Sequence, residues 1–171
     1  MNNWYIVYVR QIDEKEINNF FISQGLDSFI PQKDMVFIRN RRKFLVRKPL
    51  FPNYIFVRSG LEQYEFWSLL SSLRQQKTGI LKMLKYDNEG TPSLNATEQA
   101  YLERLLGEKQ VIETSCGYLE NDRVIITEGP LLGYESQIIA VNKHKCYAKL
   151  QIDLFANKIE ITVPLNIIKK I

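Results

Sequence analysis

The sequence predicts an α+β chain, with a mixed α/β sandwich of about 105 residues followed by a small five-stranded β-barrel. Three observations carry that expectation. Strand-like and helix-like patterns alternate as far as Gly107. After Val111 the helical pattern stops, and short β-branched runs recur between tight turns. The 171 residues are 45% hydrophobic and 25% charged, which is enough apolar material to bury a core.

Trp4 to Val9 is β-branched and aromatic and reads as a buried strand. Its period of two sets Trp4, Ile6 and Tyr8 on one face and Tyr5, Val7 and Val9 on the other. Asp13 opens a helix in which Ile17, Phe20, Phe21 and Gln24 recur at three- and four-residue spacing, and Gly25 ends it as a left-handed cap. Ser28–Pro31 and Met35–Arg39 are extended. Asn40–Lys43 turns a basic hairpin that returns through Phe44, Leu45 and Val46. Pro49-Leu50-Phe51-Pro52-Asn53 is a stiff entry to the next strand, because each proline fixes φ and restricts the residue before it.

Tyr54–Val57 is that strand. Leu61–Leu73 is a second helix, with Tyr64, Trp67, Leu70 and Leu73 at helical spacing. Ile80–Tyr86 is strand-like, and Asp87-Asn88-Glu89-Gly90 is a turn. Asn95 and Glu98 have the spacing of a capping box for a third helix that stops at Gly107. Beyond it, Arg123–Thr127, Gln137–Asn142, Tyr147–Leu154, Lys158–Val163 and Ile167–Lys170 are the barrel strands, closed on one another so that no edge is exposed. The expected division is therefore residues 1–108, a short linker 109–119, and 120–171.

Composition excludes much chemistry. Two cysteines, Cys116 and Cys146, cannot frame a disulfide-stapled fold, and they read as small reduced hydrophobes. One histidine, His144, leaves a four-ligand zinc site almost without donors, and any histidine-based triad would have to use it. With no glycine-rich phosphate loop, no nucleophile elbow and no paired acids, the chain reads as a non-enzyme without cofactors or metals. No apolar run reaches the ~18 residues of a membrane span, and the opening Met1-Asn2-Asn3-Trp4 lacks a basic signal region, so a cytoplasmic protein is expected.

Charge is unevenly spread. Between Lys33 and Arg58 stand eight basic residues against Asp34 alone, a net +7 that exceeds the +4 of the whole chain. From Glu120 onward seven bases meet six acids, yet Lys143-His144-Lys145 still cluster in one turn. Such a stripe lies at the surface, either as a solvated hairpin tip or as a footprint for phosphates. The candidate nucleic-acid residues are Arg39, Arg41, Arg42, Lys43 and, at the end of the second helix, Arg74 with Lys77. On the barrel they are Lys143, His144, Lys145 and Tyr147, a compact cation-plus-aromatic edge suited to phosphates and a loop base.

Three segments in order resemble the NusG family of transcription elongation factors. They are Trp4-Tyr5-Ile6-Val7, then Lys48-Pro49-Leu50-Phe51-Pro52-Asn53-Tyr54-Ile55-Phe56-Val57, and finally Asn121-Asp122-Arg123-Val124 with Gly129-Pro130-Leu131-Leu132-Gly133-Tyr134-Glu135, which is similar to a KOW motif. Asn53 stands where housekeeping members carry glycine, as in RfaH-type paralogues, and Ser136 stands where many members carry glycine. The basic turn Asn142–Lys145 and the short linker are more like LoaP-type antiterminators.

The resemblance implies an N-terminal NGN domain and a C-terminal KOW domain in a monomeric factor. It implies that the first grips the clamp helices of the RNA polymerase largest subunit through Tyr8, Leu50, Phe51, Pro52 and Tyr54. Aromatics on a stiff backbone suit such an interface on their own terms. The alternative is that Trp4, Phe51 and Tyr54 are core, a reading that fits Trp4 at least as well as contact, whereas the Pro-x-x-Pro entry favours contact for Phe51. The resemblance also sets Glu65-Phe66-Trp67-Ser68 near the polymerase gate loop and non-template DNA, without a residue-level role. For the barrel it implies a structured leader RNA in the antiterminator case, and Rho or a ribosomal small-subunit protein in the housekeeping case. A ribosome or translation factor with a KOW barrel would explain the basic patches but not the Pro-Leu-Phe-Pro-Asn-Tyr segment.

Overall fold

A computed structural model describes residues 2–85, 94–155 and 157–168. The expected turn at Asp87–Gly90, Ala156 and Lys169-Lys170 lie outside the described residues. Along the chain run β1 (Asn3–Val9), α1 (Glu14–Ser23), β2 (Asp27–Phe29), β3 (Gln32–Arg39), β4 (Arg42–Pro49), β5 (Tyr54–Ser59), α2 (Gln63–Gln76) and β6 (Ile80–Met83). There follow α3 (Ala96–Leu106), β7 (Val111–Ile112), β8 (Ser115–Glu120), β9 (Arg123–Glu128), β10 (Ile138–Asn142), β11 (Tyr147–Leu154) and β12 (Asn157–Ile167). The chain divides into two compact units, residues 1–31 with 51–99 and residues 32–50 with 100–171. The β3–β4 hairpin thus groups with the C-terminal residues rather than with the strands that flank it in sequence.

The first unit is a four-stranded sheet ordered β2-β5-β1-β6, with β1 and β5 antiparallel and central. Val7, Val9, Ile55 and Val57 on one face pack with Ile17 and Phe21 of α1 and with Phe66, Leu70 and Leu73 of α2. Tyr5 stacks on Phe66 at 4.0 Å between ring centroids. On the other face Trp4 packs edge-to-face on Phe29 and Phe56, which are tilted against each other, with centroids 5.4–6.2 Å apart; Trp4, at 3% exposure, is core. Local signals set the helix ends. Gly25 has φ +81°. Asn95 and Glu98 bond reciprocally, each side chain accepting the other's backbone N–H at 2.9 and 3.1 Å.

The α2 face differs from the expected stripe. Phe66, Leu70 and Leu73 are buried, while Tyr64 and Trp67 stand 77% and 51% exposed. Both stripes obey helical spacing, and the Tyr5 ring decides between them by stacking on Phe66.

In the second unit β4, β3 and β7 form one sheet and β10-β11-β12-β8-β9 form a curled five-stranded sheet, the expected small barrel. Its strands are not quite the expected five. The run 109–119, read as linker, holds β7 and nearly all of β8. The expected strand Lys158–Val163 does not stop before Pro164 but runs on through it as β12 to Ile167, and of the last expected strand, Ile167–Lys170, only Ile167 is strand among the described residues. Pro164 faces Tyr147 on the last rung of the β11 ladder, and the next residues, Leu165 to Ile167, pair in parallel with β8. A residue without an N–H fits where a strand changes partners.

Gly129 carries the turn after β9. Its φ is +99°, and a Cβ there would stand 2.6 Å from Ser115 Cα. The Ser115 hydroxyl, fully buried, accepts the Leu131 N–H at 3.0 Å. Ser136 needs no such freedom: it lies in a 3₁₀ turn, Glu135–Gln137, and is not among the residues with positive φ.

Candidate functional site

Phe51-Pro52-Asn53-Tyr54 folds into an aromatic corner on the first unit. Asn53 sits at φ +74°, a left-handed conformation that asparagine tolerates better than most side chains. Its N–H donates to Glu14 Oε1 at 2.8 Å, and its carbonyl accepts the Val9 N–H at 2.8 Å. Burial pushes the Glu14 carboxyl above the ordinary glutamate range, against the opposing pull of the Asn53 N–H. Held this way, Tyr54 lies opposite Tyr8 across the β1–β5 ladder, with ring centroids 5.2 Å apart. Phe51 stacks on Phe56 at 5.8 Å and is half-buried, while Pro52 is exposed. Leu50 departs from its expected role: at 5% exposure it is a core side chain and presents nothing to a partner.

The hairpin tip carries the second candidate group. Arg39 pairs with Arg42 across the last rung, and the two turn residues Asn40 and Arg41 have φ of +51° and +61°. Positive φ at both turn positions matches the right-handed strand twist, which directs the chain back as a tight hairpin. Arg39, Arg41, Arg42 and Lys43 are exposed, and Lys43 Nζ lies 3.5 Å from Cys146 Sγ. Other bases of the stripe are occupied. Arg47 makes two hydrogen bonds to buried Asp34, at 2.8 and 3.2 Å. Arg58 pairs with Asp27 and lies over the Phe29 ring at 4.7 Å. Arg74 is exposed in the last turn of α2, whereas Lys77 is paired with Glu16.

The third group is the barrel turn between β10 and β11. Asn142 Oδ1 accepts the Lys145 N–H at 2.8 Å and Cys146 turns the chain at φ +54°. Lys143, His144 and Lys145 all stand exposed on it, with Tyr147 half-buried beside them on β11. Among the described residues no group of three or more His, Cys, Asp or Glu side chains gathers as a metal site would need. No described helix is long and apolar enough to cross a membrane.

The family model described as transcription termination factor nusG matches residues 2–98. The chain belongs to the NusG family. It is 24% identical over 165 residues to the NusG termination/antitermination protein of Thermus thermophilus, spanning 92% of this chain and 88% of that one. The corresponding protein of Bacillus subtilis is 20% identical over 178 residues, 99% of this chain and 98% of its own. Among solved structures, one titled "Domain interaction in Thermotoga maritima NusG" matches the fold at a TM-score of 0.50 and 20% identity, covering 96% of this chain and 94% of that one. These relatives are named as transcription termination/antitermination proteins.

In this NusG-family chain the structure brings Tyr8, Phe51, Pro52 and Tyr54 to one corner and removes Leu50. It brings Lys143, His144 and Lys145 to one turn. Sequence reasoning missed the exposed Tyr64–Trp67 stack, with centroids 6.3 Å apart. It also missed the seating of the hairpin on the barrel, where Lys33 Nζ donates to the Thr162 carbonyl at 2.6 Å. The first had a signal, an i, i+3 aromatic pair beside a second candidate stripe. The second joins residues 129 positions apart and had none.

Proposed function

We propose that this chain regulates transcription elongation in the cytoplasm, binding RNA polymerase through Tyr8, Phe51, Pro52 and Tyr54 and promoting readthrough of terminators. The KOW barrel in this reading contacts a structured leader RNA through Lys143, His144, Lys145 and Tyr147, as in LoaP-type members. The observation that supports it most is the barrel turn. Three cationic or titratable side chains share one exposed loop with an aromatic at its base, the combination that phosphate and an unstacked base require. Arg39, Arg41, Arg42, Lys43 and Arg74 are proposed to meet nucleic acid near the polymerase, including non-template DNA.

A second reading, coupling of polymerase to Rho or to a ribosomal small-subunit protein, draws on different residues. Leu132 and Ile139 are apolar and 50% and 48% exposed on the second unit.

The test uses the full chain on reconstituted elongation complexes. Replacing Phe51 and Tyr54 together by Ala should weaken retention about 30-fold or more, as loss of aromatic anchors does. A cooperative thermal melt checks that the variant is folded, and unchanged retention by the folded variant overturns the assignment. In single-round transcription across an intrinsic terminator, the wild type should raise readthrough. Unchanged or increased termination would sink the antitermination reading and leave coupling as the better one.

A further inference from the structure

The hairpin and the barrel turn together enclose a cleft of about 490 Å³, within the second unit, lined by Lys33, Phe37, Lys48, Lys145 and Tyr147 among others. Its volume falls in the range of small-ligand sites. Lys33 and Lys48 face each other directly across the β3–β4 ladder. Lys48 Nζ lies 4.5 Å above the Phe37 ring, and that ring is 47% exposed. The hairpin's one acid, Asp34, is one residue out of phase with Lys33 and bonded to Arg47, so it does not neutralise the pair. Desolvation, with Lys48 as a second cause, holds the Lys33 ammonium below its usual range. An anion between the two lysines would relieve that repulsion. Beyond Lys33 the β3 edge opposite β4 carries no strand among the described residues, because β7 pairs only with Gln32 and Lys33.

We infer that this cleft holds one unpaired nucleotide of a single-stranded RNA, its base stacked on Phe37 and Tyr147 and its flanking phosphates between Lys33, Lys48 and Lys145. The inference deepens the proposed RNA role of the barrel and rests on it. A stacking face combined with flexible point charges is the chemistry of sequence-tolerant single-strand recognition. Lysine supplies the charge without imposing a geometry. The same lining excludes a perfect duplex, whose bases have no free face to offer. The cleft therefore adds a preference for unpaired over paired RNA, which the exposed turn at Lys143 and His144 does not.

Fluorescence anisotropy with the full chain tests it, using a labelled 12-nucleotide oligouridine and a fully paired RNA duplex as probes. Phe37→Ala should weaken oligouridine binding about fivefold or more at unchanged salt slope, and Phe37→Trp should restore it. Lys48→Gln should lower the slope of log K against log salt by about 0.7. Neither should move duplex affinity. Lys143→Ala with His144→Ala, which lie outside the cleft, should weaken both probes. If both cleft variants bind oligouridine like wild type while the turn variant weakens, the cleft proposal falls and the turn reading stands. If the cleft variants weaken and the turn variant does not, the turn reading falls alone. If wild type binds neither probe, both fall. Equal losses on duplex and oligouridine from Phe37→Ala would also overturn the cleft, since a stacking site cannot weaken a closed helix.

Discussion

Two antiparallel strand pairs, each with an apolar run at its middle, have opposite fates in this molecule. In β1 and β5, Val7, Ile55 and Val57 are fully buried. In β3 and β4, Phe37, Ile38, Phe44, Leu45 and Val46 are 37–61% exposed. Charge placement accounts for the difference. Between Asn3 and Val9 there is no ionisable side chain except two tyrosines, so helices can cover one face and aromatics the other. The hairpin sets Lys33 and Lys48 on one face of its apolar middle and Lys43 on the other, and covering either face would desolvate those ammonium groups. An apolar strand is a core strand only when its flanking charges allow a lid. Where they forbid one, the exposed apolar and aromatic surface beside cations is what a nucleic-acid partner can use.

The comparison is broken most directly by truncating one ring on each pair. Phe56→Ala, at 1% exposure between Trp4, Phe29 and Phe51, should cost about 3–5 kcal/mol in urea unfolding. Phe44→Ala on the hairpin, at 50% exposure, should cost about 0.5 kcal/mol or less. Similar losses at both sites would mean that the hairpin is covered in solution.

A pH series sharpens the contrast from the buried side. Glu14 reaches the Asn53 N–H at the start of β5, and burial raises its folded-state pKa. The folded chain therefore holds this proton more tightly than the unfolded chain, and Glu14 makes stability fall as pH rises from about 4 through the raised folded value. Glu14→Gln keeps an oxygen for the Asn53 N–H and loses the charge. Melting temperatures of wild type minus variant should decline across that window and then level off. A flat difference would contradict the burial argument.

The smallest effect belongs to the hairpin tip. Arg41 holds φ +61° with a bulky side chain, a left-handed conformation that glycine adopts without cost. Arg41→Gly should raise stability by up to about 1 kcal/mol while weakening nucleic-acid binding. A loss of both would show that the Arg41 side chain packs as well as carries charge.

What was legible in the sequence was what neighbouring residues settle among themselves. The Asn95–Glu98 box, the Gly25 cap and the turns that begin at Asn40 and Asn142 are closed by bonds or dihedrals within a few residues, although the first turn has two residues, Asn40 and Arg41, rather than the expected four. The family motifs are local in the same sense. They foretold the aromatic corner because Pro52, Asn53 and Tyr54 shape one turn, and the glycine-to-asparagine exchange at 53 is explained by a single dihedral.

The sequence by itself determined the order of elements, the strand and helix periods and the residues able to form each turn, because those depend on interactions within a few residues. Only the tertiary structure decided which of two helical stripes α2 buries, that Leu50 is core, that β12 runs through Pro164 to pair with β8, and that Lys33 seats the hairpin on the barrel. Each is a choice between locally equivalent alternatives, Phe66 or Trp67, exposed or buried, a strand that stops at its proline or one that runs on. The physical reason is the same in each case. The energy that separates the alternatives resides in a partner many residues away, a Tyr5 ring, a Ser115 strand or a Thr162 carbonyl, and no local pattern encodes where that partner will stand.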